Sequence, residues 1–471
     1  MNAVLIACSA LFLALLIAVA ACLNGCGHGK PAQLPWPEVT LTQEDRILIL
    51  APHPDDEVLG CGGVIQRAVA MGLPLRIVFF TYGDANQWSF AVYRKHPVAT
   101  TRGAEAMGAV RHNEALAAAK VLGVAPESLV FLGYPDFGTL RIWDEHWGEA
   151  PPLKSVLTRV AEVPYETALR PGAPYKGEEI LRDLSSVLLD FHPTKVFLSH
   201  PGDSNPDHRA LYLFTRVALW ELSGRVQPEL YPYLIHYKHW PRPRAYRPGD
   251  PLLPPALFKE QAPWTVVRLS GDEVERNHVA IKAHRSQYEY GPRYLSSLIR
   301  ANELFGDFPA VTLAPPKGGL SSRVVLDEAG VSLQVPEQLT SEERTAFIGL
   351  ERRYVGRADD AVVLSTELSR PLRRGVGMSV ELFGYRSDEP FAQMPKLRVE
   401  LGATSHRVYD GSRELPPETV DVRWDARRVE VTVPLATLGT PSLILSSTRT
   451  YLGDVPLDWV SWRVIELAPA P

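Results

Sequence analysis

A chain of 471 residues, 45% of them hydrophobic, is too long for one ordinary domain and apolar enough to bury substantial cores. Its formal net charge of −5 provides no basic field for holding polyphosphate, which excludes nucleic acid as the main partner. Small neutral ligands and sugars remain open.

The chain begins with an apolar segment that predicts export. Its first 21 residues are almost entirely apolar, and two sequences resembling the lipid-attachment site of bacterial lipoproteins follow at Cys22 and Cys26. LNGCG at Cys26 is closer to that pattern, so residues 1–26 are predicted to be a lipoprotein signal that leaves the chain in the cell envelope, attached to the membrane. An uncleaved membrane anchor is the alternative, because about 20 apolar residues can span a bilayer. Residues 27–45 contain prolines and little apolar periodicity, which predicts a linker.

Predicted strands and helices alternate through residues 46–310. A buried strand is predicted for RILILA, a helix for EVLGCGGVIQRAVAMG and a second strand for PLRIVFFTYG, and the alternation continues to KVFLSH. This pattern predicts an α/β domain with a Rossmann-like, mostly parallel sheet and helices on both faces. A long helical segment, GDEVERNHVAIKAHRSQYEYGPRYLSSLIRANELF, is predicted to close the domain. Ligands of such sheets bind outside the carboxyl ends of the strands.

Two long insertions interrupt the alternation, at residues 89–108 and 141–177. Each follows a predicted strand, and insertions at that position often form the walls of a substrate cleft. Their Trp and Tyr residues suit a carbohydrate, whose CH faces stack on aromatic rings. Ordinary packing of the same rings is an equal alternative.

The last third of the chain, residues 319–471, has an all-β pattern. Prolines and glycines at residues 310–318 mark the boundary. Segments such as GMSVELFGY and RRVEVTVPL then alternate with period two between turn residues, which predicts a β-sandwich. This part resembles the carbohydrate-binding sandwich modules of secreted glycan enzymes, although a core position for its tryptophans is favoured over a sugar platform.

Charged residues gather in two turns that follow predicted strands. His53, Asp55 and Asp56 lie within four residues after the first strand, and PGDSNPDHRA after KVFLSH delivers His208 just before a helix. Both turns can lie on one edge of the sheet, where imidazole and carboxylate groups could share a divalent metal ion. The alternative is that Asp55 and Asp56 cap the next helix, but capping accounts for one aspartate and for neither histidine.

Together, APHPDDEVLGCGG, the later NPDH turn, RHNEALAAAKVLGV and LGYPDFG resemble the PIG-L/LmbE-like family of zinc-dependent de-N-acetylases. The resemblance covers roughly residues 46–305. It implies that His53, Asp56 and His208 bind Zn²⁺, or another divalent metal, and that Asp55 is the general base.

The resemblance also implies a substrate side of the site. Arg111, Glu114 and Asp136 lie at or near the sugar in the family pattern, with Arg111 and Asp136 as the substrate-binding candidates. An i,i+3 ion pair between Arg111 and Glu114 on one helix is an equally good interpretation. Asp136 could likewise be a turn residue in YPDFG.

The sequence departs from the family pattern at Asn205, where several bacterial members have His. Asn can donate a hydrogen bond to an oxyanion but cannot act as an acid. Asn205 is therefore predicted to stabilise the oxyanion. Asp55 would then return its proton to the leaving amine, unless His200 or Asp203 takes that part.

These expectations combine into a zinc-dependent hydrolase that removes an N-acetyl group from an amino sugar in an extracytoplasmic glycan or glycoconjugate. One alternative is a surface-anchored glycan-binding protein without catalytic activity. The other is a metal-dependent amidase that acts on a non-sugar amide.

Overall fold

The computed structural model describes residues 34–85, 100–316, 323–327, 339–453 and 455–469. The predicted signal over residues 1–26, with Cys22 and Cys26, lies outside these ranges. Within them, no helix combines the length and the apolar character that crossing a membrane requires. The elements below all belong to one compact unit, Pro37–Pro471.

The first part of the unit contains alternating strands and helices. Its strands are β1 (Ile47–Ala51), β2 (Leu75–Thr81), β3 (Leu129–Tyr134), β4 (Lys195–Ser199), β5 (Glu229–Tyr233), β6 (Thr265–Arg268) and β7 (Asn302–Phe305). Its helices are α1 (Asp56–Ala70), α2 (Thr101–Leu122), α3 (Thr139–Glu145), α4 (Gly177–Phe191), α5 (Pro206–Glu221), α6 (Gly271–Ala283), α7 (Arg285–Tyr288) and α8 (Pro292–Leu298).

The strands form one twisted sheet in the order β3-β2-β1-β4-β5-β7-β6. The strands from β3 through β5 are parallel, and β7 pairs antiparallel with both β5 and β6. Strands β1 and β4 are buried along their whole length, which explains their apolar sequences. The predicted α/β fold is therefore confirmed. The strand that follows β1 in the chain, β2, lies on one side of it in the sheet, and the strand that follows β4, β5, lies on the opposite side. Strands β1 and β4 therefore flank the point where the strand order reverses.

Glycines let helix α1 approach its neighbours closely. A Cβ atom at Gly60 would lie 2.5 Å from the ring of Tyr233, and one at Gly62 would lie 2.3 Å from the Asn277 side chain. Cys61, between them, is fully buried as a packed thiol. The helix is thus held against β5 and α6, and this contact fixes the turn that precedes it.

Two details differ from the sequence-based expectations. Residues 101–108, predicted as part of an insertion, begin α2, because Thr100 Oγ1 accepts a hydrogen bond from the Gly103 amide and caps the helix. Residues 89–99 of that insertion lie outside the described residues. The predicted long closing helix is broken into α6, α7 and α8, with the last break at Gly291–Pro292, and its final residues form β7.

The second part of the unit is a β-sandwich, as predicted. Its strands are β8 (Val311–Leu313), β9 (Val324–Asp327), β10 (Leu350–Arg357), β11 (Ala361–Leu368), β12 (Val376–Tyr385), β13 (Lys396–Leu401), β14 (His406–Asp410), β15 (Arg413–Leu415), β16 (Asp421–Asp425), β17 (Arg428–Pro434), β18 (Leu443–Leu452), β19 (Val455–Trp459) and β20 (Arg463–Leu467), and its helix is α9 (Ser341–Ala346). One sheet has the order β16-β17-β11-β10-β9 and the other β15-β14-β13-β12-β18-β20-β8, with β19 paired to β18. Valine and leucine side chains from both sheets share one apolar core.

An aromatic cluster joins the sandwich to the α/β part. Trp143, from the second insertion, is fully buried and packs against Phe383 and Phe391, with ring centroids 5.4 and 5.3 Å apart. Trp462 of the sandwich contacts the Trp143 ring edge-on. The rings of this insertion are thus packed in a core rather than displayed to a sugar. On the sandwich, Trp462 is buried, whereas Trp424 is 36% exposed.

Candidate metal centre

The two predicted turns meet beyond the carboxyl ends of β1 and β4. The ligand atoms of His53, Asp56 and His208 all lie within 4.8 Å of one another, and all three residues are buried. Asp56 Oδ2 is 3.1 Å from His53 Nδ1 and 3.1 Å from His208 Nε2. Two imidazoles from different turns therefore face one carboxylate oxygen. The structure thus brings together, at one edge of the sheet, the two turns that the sequence predicted could lie there, and the role of these residues as metal ligands stays a prediction.

The donor set fits a divalent metal ion. Two imidazole nitrogens and a carboxylate oxygen are the protein ligands that a catalytic zinc site uses, with one position left for water. His208 Nε2 is buried and makes no hydrogen bond within the described residues, although Asp56 Oδ2 is only 3.1 Å away. A metal ion at this point would give that buried nitrogen a partner, which fits the chemistry of the donor set.

Coulombic attraction dominates the centre. Burial raises the pKa of Asp56, but His208 and His53 outweigh it and hold that pKa well below its usual range. Burial lowers the pKa of His208, whereas Asp203 and Asp56 raise it to about 9. In the protein without metal, the ligands thus carry opposite charges, and a bound cation would take the place of the imidazolium protons.

A second carboxylate group faces the other ring nitrogen of His53. Asp136 Oδ1 and Asp207 Oδ2 lie 3.1 and 3.2 Å from His53 Nε2. These three residues form a second metal-compatible group. Asp207 is already engaged, because it accepts hydrogen bonds from the amides of Phe137 and Thr139 and from the Thr139 hydroxyl. It therefore serves to orient the ring, as carboxylates commonly do behind a metal-binding histidine.

Asp203 supports the other histidine. Its Oδ2 lies 3.1 Å from His208 Nδ1 and accepts hydrogen bonds from the amides of Ile235 and His236, at 3.0 and 2.9 Å. Its Oδ1 accepts from the Asn205 amide at 2.9 Å. A fully buried carboxylate thus connects the turn after β4 to the residues that follow β5.

Asp55 occupies a strained backbone position beside the ligands. Its φ angle is 134°, which a residue with a side chain rarely adopts and which costs about 1–3 kcal/mol. Arg111 stabilises the turn by donating to the carbonyls of Gly83 and Pro54, and it lies 3.4 Å from Asp55 Oδ1. Burial raises the pKa of Asp55 to about 7, despite the opposing charge of Arg111. A carboxyl group with a pKa near 7 can both take up and release a proton at neutral pH.

The chain from α6 to α7 locks the same turn from behind. Glu57 accepts a hydrogen bond from the Asp55 amide at 2.9 Å and contacts His284 Nε2 at 2.9 Å. Glu114 accepts hydrogen bonds from the Ser286 amide and hydroxyl, at 2.8 and 2.7 Å. The Glu residue of PHPDDE and the KAHRSQ segment are therefore structural partners.

The remaining predicted site residues have clear positions. Arg111 and Glu114 have different partners, the Asp55 turn and Ser286, and Arg111 is only 3% exposed. Asp136 reaches both His53 and a neighbouring cavity. The side-chain oxygen of Asn205 accepts from the Asp207 amide and caps α5. The substrate and oxyanion roles given to these residues stay predictions.

His200 is separated from the chemistry. It is fully buried, its ring stacks on Phe258 and Trp264, and its Nδ1 accepts from the Gly202 amide. Burial lowers the pKa of His200 to about 3, so the ring is neutral. His200 and Asp203 were the two alternative proton donors in place of the histidine that family members have at the position of Asn205. His200 packs in an aromatic pocket, and Asp203 holds His208.

A cavity of about 390 Å³ opens beside Asp136. One wall is the turn after β3, including Phe137, which is 55% exposed. The opposite wall is residues 153–157 of the second insertion. The insertion thus contributes a wall next to the candidate metal centre, in the place where a substrate cleft was expected.

Sequence reasoning missed His236 and Tyr294. His236 follows β5, and its ring centroid is 4.8 Å from that of His208 in an edge-on contact. Its Nδ1 lies 3.1 Å from the Tyr294 hydroxyl. No local motif surrounds either residue. The only available signal was their position after a strand of a parallel sheet and in the segment that closes the domain.

Parts of the chain are similar to known proteins. Residues 48–219 match the family described as PIG-L, GlcNAc-PI de-N-acetylase. Two similar relatives are 1D-myo-inositol 2-acetamido-2-deoxy-alpha-D-glucopyranoside deacetylases. The protein from Mycobacterium sp. (strain JLS) is 26% identical over 276 residues, 55% of this chain and 79% of the relative. The protein from Mycobacterium sp. (strain KMS) is 29% identical over 189 residues, 40% of this chain and 53% of the relative.

Among solved structures, two similar ones are N,N'-diacetylchitobiose deacetylase from Pyrococcus horikoshii and the conserved protein TT1542 from Thermus thermophilus. The first has 22% sequence identity and a TM-score of 0.35, and the alignment covers 55% of this chain and 82% of that protein. The second has 23% identity and a TM-score of 0.33, with coverage of 54% and 84%.

Proposed function

Because residues 48–219 match the PIG-L family of de-N-acetylases, we propose that the chain removes the acetyl group from an N-acetylated amino sugar. The proposed cofactor of this hydrolysis is a divalent metal ion, Zn²⁺. The observation that carries the proposal is the meeting of His53, Asp56 and His208 from two separate turns, with Asp55 beside them. The relatives named above are deacetylases of a 2-acetamido sugar, which supports the substrate class.

His53, Asp56 and His208 would hold the ion. When bound there, a divalent metal lowers the pKa of water and polarises the carbonyl of an amide. The three ligands supply one negative charge between them once both imidazoles are neutral, which the two positive charges of a divalent ion would more than balance. Asp207 and Asp203 hold the two rings in place from behind.

Asp55 moves the proton. Its carboxylate accepts a proton from the attacking water as the C–O bond forms, and the protonated carboxyl then donates it to the nitrogen as the C–N bond breaks. The products are acetate and a free amine. Burial raises the pKa of Asp55, which favours the protonated carboxyl that the second step needs.

Asn205 is the proposed donor to the oxyanion. Its side-chain oxygen is occupied by the Asp207 amide at 2.9 Å, so its NH₂ group is the part that can donate outward. Asn205 is only partly buried, whereas Asp203 and Asp207 on either side are fully buried. A removed amide donor at an oxyanion commonly costs a hundredfold or more in kcat, roughly 3 kcal/mol.

Acetate release is the direct test. Full-length protein loaded with Zn²⁺ is incubated with N-acetylglucosamine, its oligomers and N-acetylated amino acids, and acetate and free amine are measured. The proposal expects both products in equal amounts from an amino sugar, and none from the Asp55→Asn variant. Release only from N-acetylated amino acids would favour the non-sugar amidase, and binding without release would favour the glycan-binding protein.

We further propose that the enzyme acts outside the cytoplasm, attached to the membrane through the N-terminal segment. The support is the apolar run of the first 21 residues and the lipoprotein-like LNGCG at Cys26. Cell fractionation tests this proposal. The protein should be found with the membrane, and Cys26→Ser should release it or leave it unprocessed. Wild-type protein in the cytoplasmic fraction would contradict it.

A further inference from the structure

His236 borders the metal centre without belonging to its ligand set. The metal-compatible group that includes His208 consists of His53, Asp56 and His208. The edge-on contact of His236 with the His208 ring, at 4.8 Å between centroids, nevertheless places it at the centre. His236 is partly exposed, whereas His53 and His208 are buried. Of these three histidines, His236 is therefore the one that the protein leaves partly uncovered.

The backbone holds His236 firmly at this place. Asp203 Oδ2 accepts the hydrogen bond of the His236 amide at 2.9 Å and lies 3.1 Å from His208 Nδ1. The His236 carbonyl accepts from the amide of Ser204 at 2.8 Å. The turn after β4 and the segment after β5 are thus bonded to each other on both sides of this residue. These two bonds fix the backbone of His236, and a fixed backbone supports a directional contact of its side chain.

Tyr294 determines which ring nitrogen carries the hydrogen. The Tyr294 hydroxyl lies 2.8 Å from the Ile235 carbonyl and 3.1 Å from His236 Nδ1. A carbonyl can only accept, so the single phenolic hydrogen goes to Ile235, and the phenolic oxygen must accept from His236. Nδ1 therefore carries the hydrogen, and Nε2 has a free lone pair. In the neutral imidazole with this tautomer, Nε2 is an acceptor and has no hydrogen to donate.

We propose that His236 Nε2 accepts a hydrogen bond from a hydroxyl group of the amino sugar, which makes His236 a substrate-binding residue selective for polyhydroxylated substrates. This rests on the proposed function, because it needs a sugar bound at the metal centre. A neutral Nε2 without hydrogen cannot donate to an oxyanion, so His236 does not replace the histidine that the family has in place of Asn205. It does a different task, in which it distinguishes a sugar from a plain amide.

The test couples one residue to one hydroxyl. Full-length, Zn²⁺-loaded protein is assayed on the N-acetylglucosamine substrate that it cleaves best and on the monodeoxy analogues of that substrate. His236→Phe keeps the aromatic shape but removes the acceptor, and we expect kcat/KM to fall roughly tenfold, mainly through a higher KM. One monodeoxy analogue should be cleaved equally by the wild type and the variant. His236→Gln, which retains an acceptor, should recover most of the loss.

His278→Phe is the matched control. His278 also contacts a tyrosine hydroxyl, that of Tyr288 at 3.3 Å, but it lies on α6 outside the candidate site. This variant should cleave all substrates like the wild type. If His236→Phe lowers kcat/KM equally on the parent sugar, every monodeoxy analogue and N-methylacetamide, the hydroxyl contact is wrong. A tenfold weaker Zn²⁺ affinity in His236→Phe would also overturn the proposal, since it would show that the residue supports His208.

Failure of the proposed function would be seen separately. In that case wild-type protein releases no acetate from any sugar, and the same variants are compared by calorimetric binding of N-acetylglucosamine. Weaker binding by His236→Phe, but not by His278→Phe, supports the contact without catalysis. Equal binding by the wild type, His236→Phe and His278→Phe, or binding by none of these three proteins, overturns it.

Discussion

Replacing Asp203 by Asn should weaken metal binding without removing any ligand. Asp203 is fully buried, and its two oxygens face four donors: the amides of Asn205, Ile235 and His236, and the His208 ring at 3.1 Å. Asn has one acceptor oxygen. If that oxygen keeps the place of Oδ2, the NH₂ group faces the Asn205 amide donor to donor. If it is turned round, three donors lose their acceptor.

The magnitudes follow from these contacts. One buried donor without an acceptor costs about 1–3 kcal/mol of unfolding free energy. Loss of the charge behind His208 should weaken Zn²⁺ affinity about 10–100-fold, because carboxylates that orient a metal-binding histidine contribute that much. Metal affinity is measured by calorimetric competition with a chelator, and stability by denaturant unfolding of the metal-free protein.

Asp307→Asn is the control for this variant. Asp307 accepts from the Tyr212 hydroxyl at 2.9 and 3.1 Å, outside the candidate site. It should lose stability but keep Zn²⁺ affinity. A Zn²⁺ affinity of Asp203→Asn within twofold of wild type would refute the reasoning that Asp203 supports the ligand His208.

Three further outcomes are expected. Asp55→Asn should bind one Zn²⁺ per chain with wild-type affinity but release no acetate, as measured on the same preparation, since its amide cannot accept a proton from water. Burial raises the pKa of Glu303 to about 8 despite hydrogen bonds from the amides of Gly63 and Val64, while the unfolded chain has a pKa near 4.5. Between these two pKa values the folded state holds a proton that the unfolded chain has released, so the free energy of unfolding should fall as pH rises from 5 to 8. Glu303→Gln should flatten this fall, as measured by denaturant titrations across the pH range. An unchanged slope of unfolding free energy against pH in the variant would contradict the reasoning. Trp143→Ala should lower the free energy of unfolding by about 3–5 kcal/mol, because it removes the ring that packs against Phe383 and Phe391. Calorimetry of the wild-type protein should show one unfolding transition for the α/β part and the sandwich together. Two separate transitions would mean that the aromatic cluster does not couple the two parts.

The local part of the site was predictable because its information is local. A buried strand followed by HPDD indicates a turn at the edge of a parallel sheet, and the structure places His53 and Asp56 there. His208 was found by the same reasoning on a second strand. The family resemblance drawn from these motifs is confirmed by the match over residues 48–219.

The supporting residues were not predictable in this way. His236 and Tyr294 come together across 58 residues, and each stands in a sequence without a metal-binding or catalytic motif. Their relation depends on the pairing of β4 with β5 and on where α8 packs, which local periodicity does not encode. Asp207 was visible in the NPDH turn, but nothing in the sequence showed that its oxygens would hold the turn after β3.

The aromatic residues of the second insertion show a similar limit. A tryptophan can stack on a sugar or fill a core, and composition alone does not distinguish the two. The structure does so for Trp143, because the sandwich supplies Phe383 and Phe391 as packing partners. Arg209, the residue after His208, likewise lies 4.1 Å from the Trp459 ring of the sandwich. The sandwich therefore packs directly against the helix that carries a candidate metal ligand.

The central claim, that two turns share one ion, is tested most directly by anomalous diffraction from crystals grown with Zn²⁺. The account predicts a single peak about 2.0–2.2 Å from a ring nitrogen of His53, a carboxylate oxygen of Asp56 and a ring nitrogen of His208. A peak next to Asp136 and Asp207, on the far side of His53, would contradict it. The absence of any peak in crystals grown with excess Zn²⁺ would contradict it as well.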